Sequence, residues 1–534
     1  MPTTGGPSPP TVNGATPSIP TPTSASITST STMNPRSNAS FMTKSQIDPA
    51  LCAPMIWPMK AKALAPLLVA LALAPVFATE KQRTFKSSTG QEIQATFLSL
   101  SGDTATLRRA DGKTFELPLD RLSKEDQAYI SEAVAGPAKD AEKLSKAAGQ
   151  KIADGKAFGE LDAATLAEAL LLESESTSKY GKSWRLYAAY TKGYTLFGAM
   201  PYSVALYSDE KGKVTNISIV YANKGDFGST AGFGRDHFKN SGISAPTSLE
   251  EAMDLDEKTV STALTAALGE GSTQRYGEGD TRRKITRWDW NGHAFLLSNE
   301  EGEYVSLAVV STEMADSGGK SARMSDADLK KRLAESVVRN PNGDVRISEI
   351  PMVDQGPKGY CVPATFERAM RTMGIDADMY LLAMVGESSA GGGTVVEVLL
   401  DNVKSAVYRK GRRTKDDEIK SLKIRDVKRY IDQGVPLMWR LCSTNEYNNI
   451  ADENTAGRAA GDTAFREKMN GMAAKFEDRE KPRSNHHICM IIGYNEKTEE
   501  LAVSDSWGKE FELRWVPLEV ANWASNGKLF MILP

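Results

Sequence analysis

The stretch DQGPKGYCVPATFERAMRTMGI, residues 354–375, decides the fold of the C-terminal part of this 534-residue chain. Gln355 stands six residues before Cys361. Apolar residues then recur at the spacing of one helix face, and Gly374 supplies a stop signal. Pro363 falls in the first turn, where its missing N–H costs nothing. The sequence therefore predicts that Cys361 begins an amphipathic helix.

A cysteine at the start of a helix is placed for nucleophilic chemistry. The unpaired amides and the helix dipole favour a thiolate, and a neighbouring imidazolium can lower a cysteine pKa from ~8.5 to about 3–4. The thiolate is the nucleophile. Its attack on a carbonyl creates an oxyanion, and the Gln355 side-chain amide and the Cys361 backbone N–H are candidate donors to that oxygen.

Few histidines are available to act as the base for Cys361. The chain has four histidines, at positions 237, 293, 486 and 487, so the C-terminal region offers only His486 and His487. The run HHICMIIGY (486–494) is typical of a buried strand, with His487 at its start. Asp505, in SDSWG (504–508), follows a second strand and is predicted to accept the other ring N–H and fix the tautomer.

These motifs fall in the order found in papain-like cysteine peptidases. Residues 348–534 resemble that family, and most nearly its bacterial branch related to bacteriocin-processing double-glycine peptidases. The resemblance implies a domain with a helical half and an antiparallel β half. It also implies one role for each matching residue: Gln355 in the oxyanion hole, Cys361 as nucleophile, His487 as base and Asp505 as the orienting residue.

The match also has finer details. His487 is preferred to His486 because the family places its histidine six residues before the pair Gly493-Tyr494. Trp507 is predicted to shield the contact between imidazole and carboxylate. Val362 is a departure, because many relatives carry glycine after the nucleophile.

Other interpretations stay open. A buried cysteine or histidine is individually more often a packing residue than a catalyst. A catalytically inactive papain-like fold would act as an extracytoplasmic binding or scaffold protein. No cofactor is predicted, since GGGT (391–394) lacks the Lys-Ser of a phosphate-binding loop and no CxxC pair completes a metal site. A Cys442–Cys489 disulfide is not decided by the sequence.

The N-terminal region predicts export. Residues 1–54 are rich in Pro, Ser and Thr and are predicted to be disordered, or not translated. Residues 55–78 contain MKAKALAPLLVALALAPVFA, which reads as a signal peptide, and its apolar run is too short to span a bilayer. The expected location is the periplasm, the cell surface or the extracellular space.

Residues 79–133 predict a small β-barrel-like module. Three alternating runs are separated by turn signals, Asp111-Gly112 is a strong hairpin signal, and a final helix begins at Ser123. The stretch resembles the SLA-one homology domain, which implies an SH3-like β-barrel. The matching residues are Arg83, Gly90, Ala95, Phe97, Leu107-Arg108, Asp111-Gly112-Lys113 and Leu122-Ser123 with Asp126-Gln127. The resemblance implies that this module binds a protein or peptide ligand.

The central region is less informative. Residues 134–158 are predicted to form a linker, 159–315 an α+β domain of unknown role with a weak duplication, and 316–347 a joint with a helix. Trp288 and His293 are predicted to pack, with His293 in a turn, and Asn223–Asp226 is predicted as another turn. A charged insertion, 443–485, is either a lid or a solvated helical excursion.

The bulk composition agrees with a soluble multidomain α+β protein. The chain has 40% apolar and 25% charged residues, and its formal net charge of -3 gives no reason to expect nucleic acid as a partner. The expected substrate is a peptide or protein.

Overall fold

The computed structural model describes residues 82–534 apart from 189–190, 192, 230–237, 239–245 and 459–460. The predicted Pro-, Ser- and Thr-rich segment and the predicted signal peptide lie outside the described residues. All described residues belong to one unit, Leu73–Pro534. Within this described part, no helix has the length and apolar character needed to cross a membrane.

An antiparallel four-stranded sheet opens the described part of the chain. Its strands follow in sequence order: β1 (Arg83–Lys86), β2 (Glu92–Ser101), β3 (Thr104–Arg109) and β4 (Thr114–Pro118). The predicted hairpin at Asp111-Gly112 is confirmed, because β3 and β4 pair around it and Gly112 has φ +81°. Phe85, Phe97 and Leu107 fill the core of this small sheet.

The first helix, α1 (Lys124–Ala148), begins after the predicted cap. The Ser123 side chain accepts a hydrogen bond from the backbone N–H of Asp126. The helix continues through residues 134–148, the first part of the predicted linker, where its apolar face joins the core of the next domain. Gly149, at φ +75°, ends it.

The middle domain is an eight-stranded antiparallel sheet with helices. Its elements are α2 (Ala163–Ala169), β5 (Glu173–Ser178), β6 (Gly181–Tyr187), β7 (Ser203–Ser208), β8 (Val214–Asn223), α3 (Lys224–Phe227), α4 (Leu249–Leu268), β9 (Ser272–Tyr276), β10 (Arg283–Trp290), β11 (His293–Glu300), β12 (Tyr304–Ser311) and α5 (Thr312–Asp316). The strand order is β5-β6-β7-β8-β12-β11-β10-β9. Two four-stranded meanders, each preceded by a helix, thus meet at β8 and β12, which supports the predicted duplication.

Two predictions in this domain need correction. His293 is the first residue of β11 and not part of the turn, because Asn291-Gly292 alone connects Trp290 to it in the hairpin register. It is buried against Phe158, and burial lowers its pKa to about 4. Asn223–Asp226 is not a simple turn either, since Asn223 caps the one-turn helix α3, and Asp226 is buried.

The C-terminal domain has the expected helical half and antiparallel β half. Its elements are α6 (Asp326–Ser336), β13 (Val337–Arg339), β14 (Asp344–Ile347), α7 (Cys361–Thr372), α8 (Met379–Val385), α9 (Val396–Arg409), β15 (Arg413–Glu418), α10 (Ile424–Ile431), β16 (Leu437–Cys442), α11 (Asn445–Arg458), α12 (Thr463–Ala473), β17 (His486–Asn495), β18 (Glu500–Ser504), β19 (Arg514–Pro517), α13 (Leu518–Ala524) and β20 (Ser525–Leu533). The strand order is β13-β14-β17-β16-β20-β15, and β18 and β19 extend from β17.

Helix α7 is buried on both faces, which its amphipathic pattern did not predict. Its apolar residues join the C-terminal core. Its polar side faces the middle domain, where the Tyr207 hydroxyl lies 3.4 Å from Glu367 and the Arg371 guanidinium lies 4.6 Å from the centre of the Tyr207 ring. The helix that carries Cys361 is therefore held between two domains.

The insertion 443–485 contains two helices, α11 and α12. Helix α11 places Tyr447, Ile450 and Ala451 in the C-terminal core. At its end, Arg458 forms ion pairs with Asp344 at 2.7 Å and Glu500 at 2.8 Å. Helix α11 is thus a packed part of the domain, and the lid stays a prediction for the rest of the insertion.

Candidate active site

Cys361 occupies the first position of α7, as the sequence predicted, and remains partly exposed. No side chain caps this helix end, so its first backbone N–H groups are available to other acceptors. The backbone N–H groups of Val362, at the helix start, and of Ile488, in β17, help to lower the pKa of the Cys361 thiol. The thiol therefore lies between the start of α7 and the strand that begins with the two histidines.

The structure brings His487 and Asp505 together. The Nε2 atom of His487 lies 2.9 Å from Oδ1 of Asp505, and both side chains are buried. The Trp507 ring stacks on the imidazole with 4.6 Å between ring centres, so it covers this contact as predicted. Because Nε2 faces the carboxylate, Nδ1 is the ring nitrogen that remains to exchange a proton with Cys361.

The electrostatics of the three groups favour an ion pair. Burial raises the pKa of the Cys361 thiol, but the hydrogen bond and positive charge of His487 outweigh this effect and lower the pKa below its usual value. Burial lowers the pKa of His487, whereas hydrogen bonds to Asp505 and Cys361 and their negative charges raise it to about 9. The two opposite shifts thus favour a thiolate next to an imidazolium.

Asp505 has a second partner that sequence reasoning missed. Its Oδ2 atom accepts a hydrogen bond from Arg514 at 2.6 Å, and the positive charge of Arg514 helps to hold the pKa of Asp505 below its usual range against the opposing effect of burial. Arg514 also contacts Asn448 at 3.0 Å and Asp452 at 3.1 Å, both on α11. The one signal in the sequence was a charged residue within the apolar run around β19.

Gln355 is fixed by the loop that joins it to Cys361 and by the turn that carries Asp505. Its Nε2 atom donates to the Lys358 carbonyl at 2.9 Å, and its Oε1 atom accepts from the Ser506 hydroxyl at 2.8 Å. Its backbone N–H donates to the Ser506 carbonyl at 2.8 Å. The amide carries a second N–H, which leaves one donor for an oxyanion. Ser506 is a positioning contact that the sequence did not reveal.

Comparison with known proteins identifies two of the domains. A model of the Peptidase_C39 like family matches residues 347–529. This part of the chain is therefore similar to that family, and we call it the C39-like domain. A second family model, SLA1 homology domain 1 (SHD1), matches residues 76–136. No curated protein gave a significant match to the chain.

Solved structures were also compared. One similar structure is the peptidase domain of Streptococcus ComA, described as a bifunctional ABC transporter involved in a quorum sensing pathway. The identity is 11% and the TM-score 0.23, and the match covers 35% of this chain and 99% of that one.

A groove in the C39-like domain is lined by His486. Its volume is about 690 Å³, and its lining includes Thr394–Glu397, Arg440, Lys481, His486 and Ser525–Gly527. His487, the next residue of β17, is not part of this lining, because consecutive side chains of a strand point to opposite faces of the sheet.

The remaining cysteines of the C39-like domain are free thiols. The open question of a Cys442–Cys489 disulfide is thereby answered, because the strand register sets Cys442 opposite His486 and Cys489 opposite Trp439. The two sulfurs are three residue positions apart along the ladder and on opposite faces of the sheet. Cys442 lies 3.7 Å from Nδ1 of His486, and burial raises the pKa of Cys442.

Proposed function

We propose that the C39-like domain hydrolyses peptide bonds of a peptide or protein substrate by thiol catalysis. The observation that carries this proposal is the 2.9 Å contact of His487 with Asp505, together with the position of Cys361 at the start of α7, and the opposite pKa shifts of Cys361 and His487 support it. A thiolate facing an imidazolium is the reactive form of a cysteine nucleophile.

The reaction would run through an acyl-enzyme. Cys361 Sγ attacks the carbonyl carbon, and the oxyanion accepts hydrogen bonds from the Cys361 backbone N–H and the Gln355 amide. His487 then gives its proton to the leaving nitrogen as the C–N bond breaks, which leaves a thioester. In the second half, His487 takes a proton from water, the hydroxide attacks the thioester, and Cys361 leaves as the thiolate.

The adjacent histidines offer a matched test of this function. We expect the full chain to cleave members of a peptide library, and His487→Gln or Cys361→Ala to abolish cleavage. His486→Gln should retain turnover within a few-fold, because His486 contacts Asn526 and Cys442 and not Asp505. A wild-type chain that cleaves nothing, with a folded domain and a poorly reactive Cys361, would favour the binding or scaffold protein instead.

Export is part of the proposal and rests on residues 59–78 alone. N-terminal sequencing of the protein recovered outside the cytoplasm should read from Thr79. Recovery of a chain that still carries residues 1–54 would contradict this. The SHD1 module is proposed to bind a protein or peptide, as the resemblance in its sequence implies.

A further inference from the structure

Lys358 stands between Gln355 and Cys361, and its side chain is completely buried. Its Nζ atom lies 3.2 Å from Oδ2 of Asp226. The same atom lies 4.8, 5.2 and 4.9 Å from the ring centres of Tyr187, Tyr360 and Tyr380. These four partners of Lys358, namely Asp226 and the three tyrosines, form an enclosure that we call the lysine cage.

The lysine cage is built from two domains. Tyr187 ends β6 and Asp226 belongs to α3, so both come from the middle domain, whereas Tyr360 and Tyr380 come from the C39-like domain. A buried ammonium is costly unless a carboxylate pairs with it, and aromatic faces add cation–π attraction. The loop 354–360 can therefore bury Lys358 only because the middle domain supplies Asp226.

Further contacts tie the same loop to the middle domain. The Asp354 backbone N–H donates to Glu175 at 2.8 Å, and the Tyr187 hydroxyl donates to the Asp354 carbonyl at 2.5 Å. The Ser229 hydroxyl donates to the Pro357 carbonyl at 3.1 Å. The start and the middle of the loop are thus held by residues of the middle domain.

Lys358 is connected to the candidate site through its backbone carbonyl. The Lys358 carbonyl accepts the hydrogen bond from Gln355 Nε2 at 2.9 Å. A shift of Lys358 would therefore move the amide that is proposed to hold the oxyanion, and Cys361 follows three residues later. The loop is packed closely against the middle domain at Gly356, because a Cβ there would lie 2.7 Å from the Tyr187 ring.

We propose that Lys358 and Asp226 are positioning residues of the peptidase site, and that the middle domain is an integral part of that site. This inference rests on the proposed function and adds that the middle domain holds the loop between Gln355 and Cys361 in place.

A double-mutant cycle on the full chain tests the inference. Asp226→Asn and Lys358→Met should each lower kcat by about tenfold to a hundredfold with a smaller change in KM. The reason is that small displacements of reacting groups strongly lower the reaction rate. The double variant should fall no further than either single variant, since both act through one contact. Affinity for a peptide aldehyde, whose thiol adduct uses the oxyanion site, should drop in parallel.

Asp256→Asn is the matched control. Asp256 is as buried as Asp226 and lies in the same domain, but it accepts a hydrogen bond from the Ala222 backbone N–H and does not contact the loop. It should leave kcat and aldehyde affinity unchanged even where thermal stability falls. The inference is wrong if Asp226→Asn and the double variant lose thermal stability while the kcat and the aldehyde affinity of the folded fraction stay unchanged.

A failure of the proposed function would look different. In that case the wild-type chain cleaves no peptide, and the rate of Cys361 alkylation becomes the readout. Slower alkylation in Asp226→Asn but not in Asp256→Asn would still support the positioning role, and equal rates in both would overturn it.

Discussion

At the scale of single residues, the candidate site is a chain of contacts from Arg514 through Asp505 and His487 to Cys361. Each link favours the charged form of the next, and together they favour a thiolate at Cys361 and an imidazolium at His487. Gln355 lies beside this chain and is held by Ser506 and the Lys358 carbonyl. The chemistry therefore depends on groups that do not touch the substrate as well as on those that do.

Removing the Asp505 charge should change the pH dependence of activity. Asp505 raises the pKa of His487, which reaches about 9, so His487 stays protonated and the ion pair persists up to that pH. In Asp505→Asn the pKa of His487 falls, and the alkaline limb of the kcat/KM profile should move to lower pH. Activity at the optimum should drop by about tenfold or more. An alkaline limb that stays in place would contradict this account.

Gln355→Ala should lower kcat by about 10²–10³ with little change in KM, because an oxyanion donor acts in the transition state and not in substrate binding. Ser506→Ala should give a smaller loss, since it releases the Gln355 amide without removing it. Steady-state kinetics on one cleaved peptide separate the two effects. A rise in KM with an unchanged kcat in Gln355→Ala would argue against an oxyanion role for Gln355.

At the scale of elements, local signals were enough to place the parts of the site. The start of α7, the strand β17 and the Asp111-Gly112 hairpin follow from capping, periodicity and turn chemistry, which act over a few residues. The packing of helix α11 was not predicted, because its polar surface is buried by partners far away in the chain. Arg458, for example, pairs with Asp344.

Helix α11 should contribute strongly to stability through Arg458. In Arg458→Met, Asp344 and Glu500 are left buried without their cation, which should cost about 3–5 kcal/mol. The control is Arg479→Met, because Arg479 pairs with Glu446 at a site where both side chains are nearly half exposed, and its loss should cost less than ~1 kcal/mol. Urea denaturation measures both, and equal shifts of the midpoint would contradict the assignment.

At the scale of the whole molecule, the middle domain covers the polar side of α7 and the loop before Cys361. The sequence did not reveal this arrangement, because Glu175, Asp226 and Tyr207 meet their partners across more than a hundred residues of chain. Such long-range polar contacts leave no periodic signal. The duplicated strand order was visible in the sequence only as two repeats of a helix followed by strands.

This interface predicts that the middle and C39-like domains unfold together. Helix α7 belongs to the C-terminal core, and it also contacts Tyr207 of the middle domain. The loop before this helix is hydrogen-bonded to Glu175 of the same middle domain. Calorimetry of the full chain should show one transition for these two domains, and Glu175→Gln should lower its temperature without splitting it. Two transitions, with the second unaffected by Glu175→Gln, would show that the domains are independent.

The central claim is that Cys361 is a thiolate stabilised by His487, and its pH-dependent alkylation tests this most directly. The rate of iodoacetamide reaction at Cys361, followed by peptide mass spectrometry, should stay high well below pH 7 in the wild-type chain and titrate near ~8.5 in His487→Gln. A wild-type titration near ~8.5, indistinguishable from that of His487→Gln, would contradict the account.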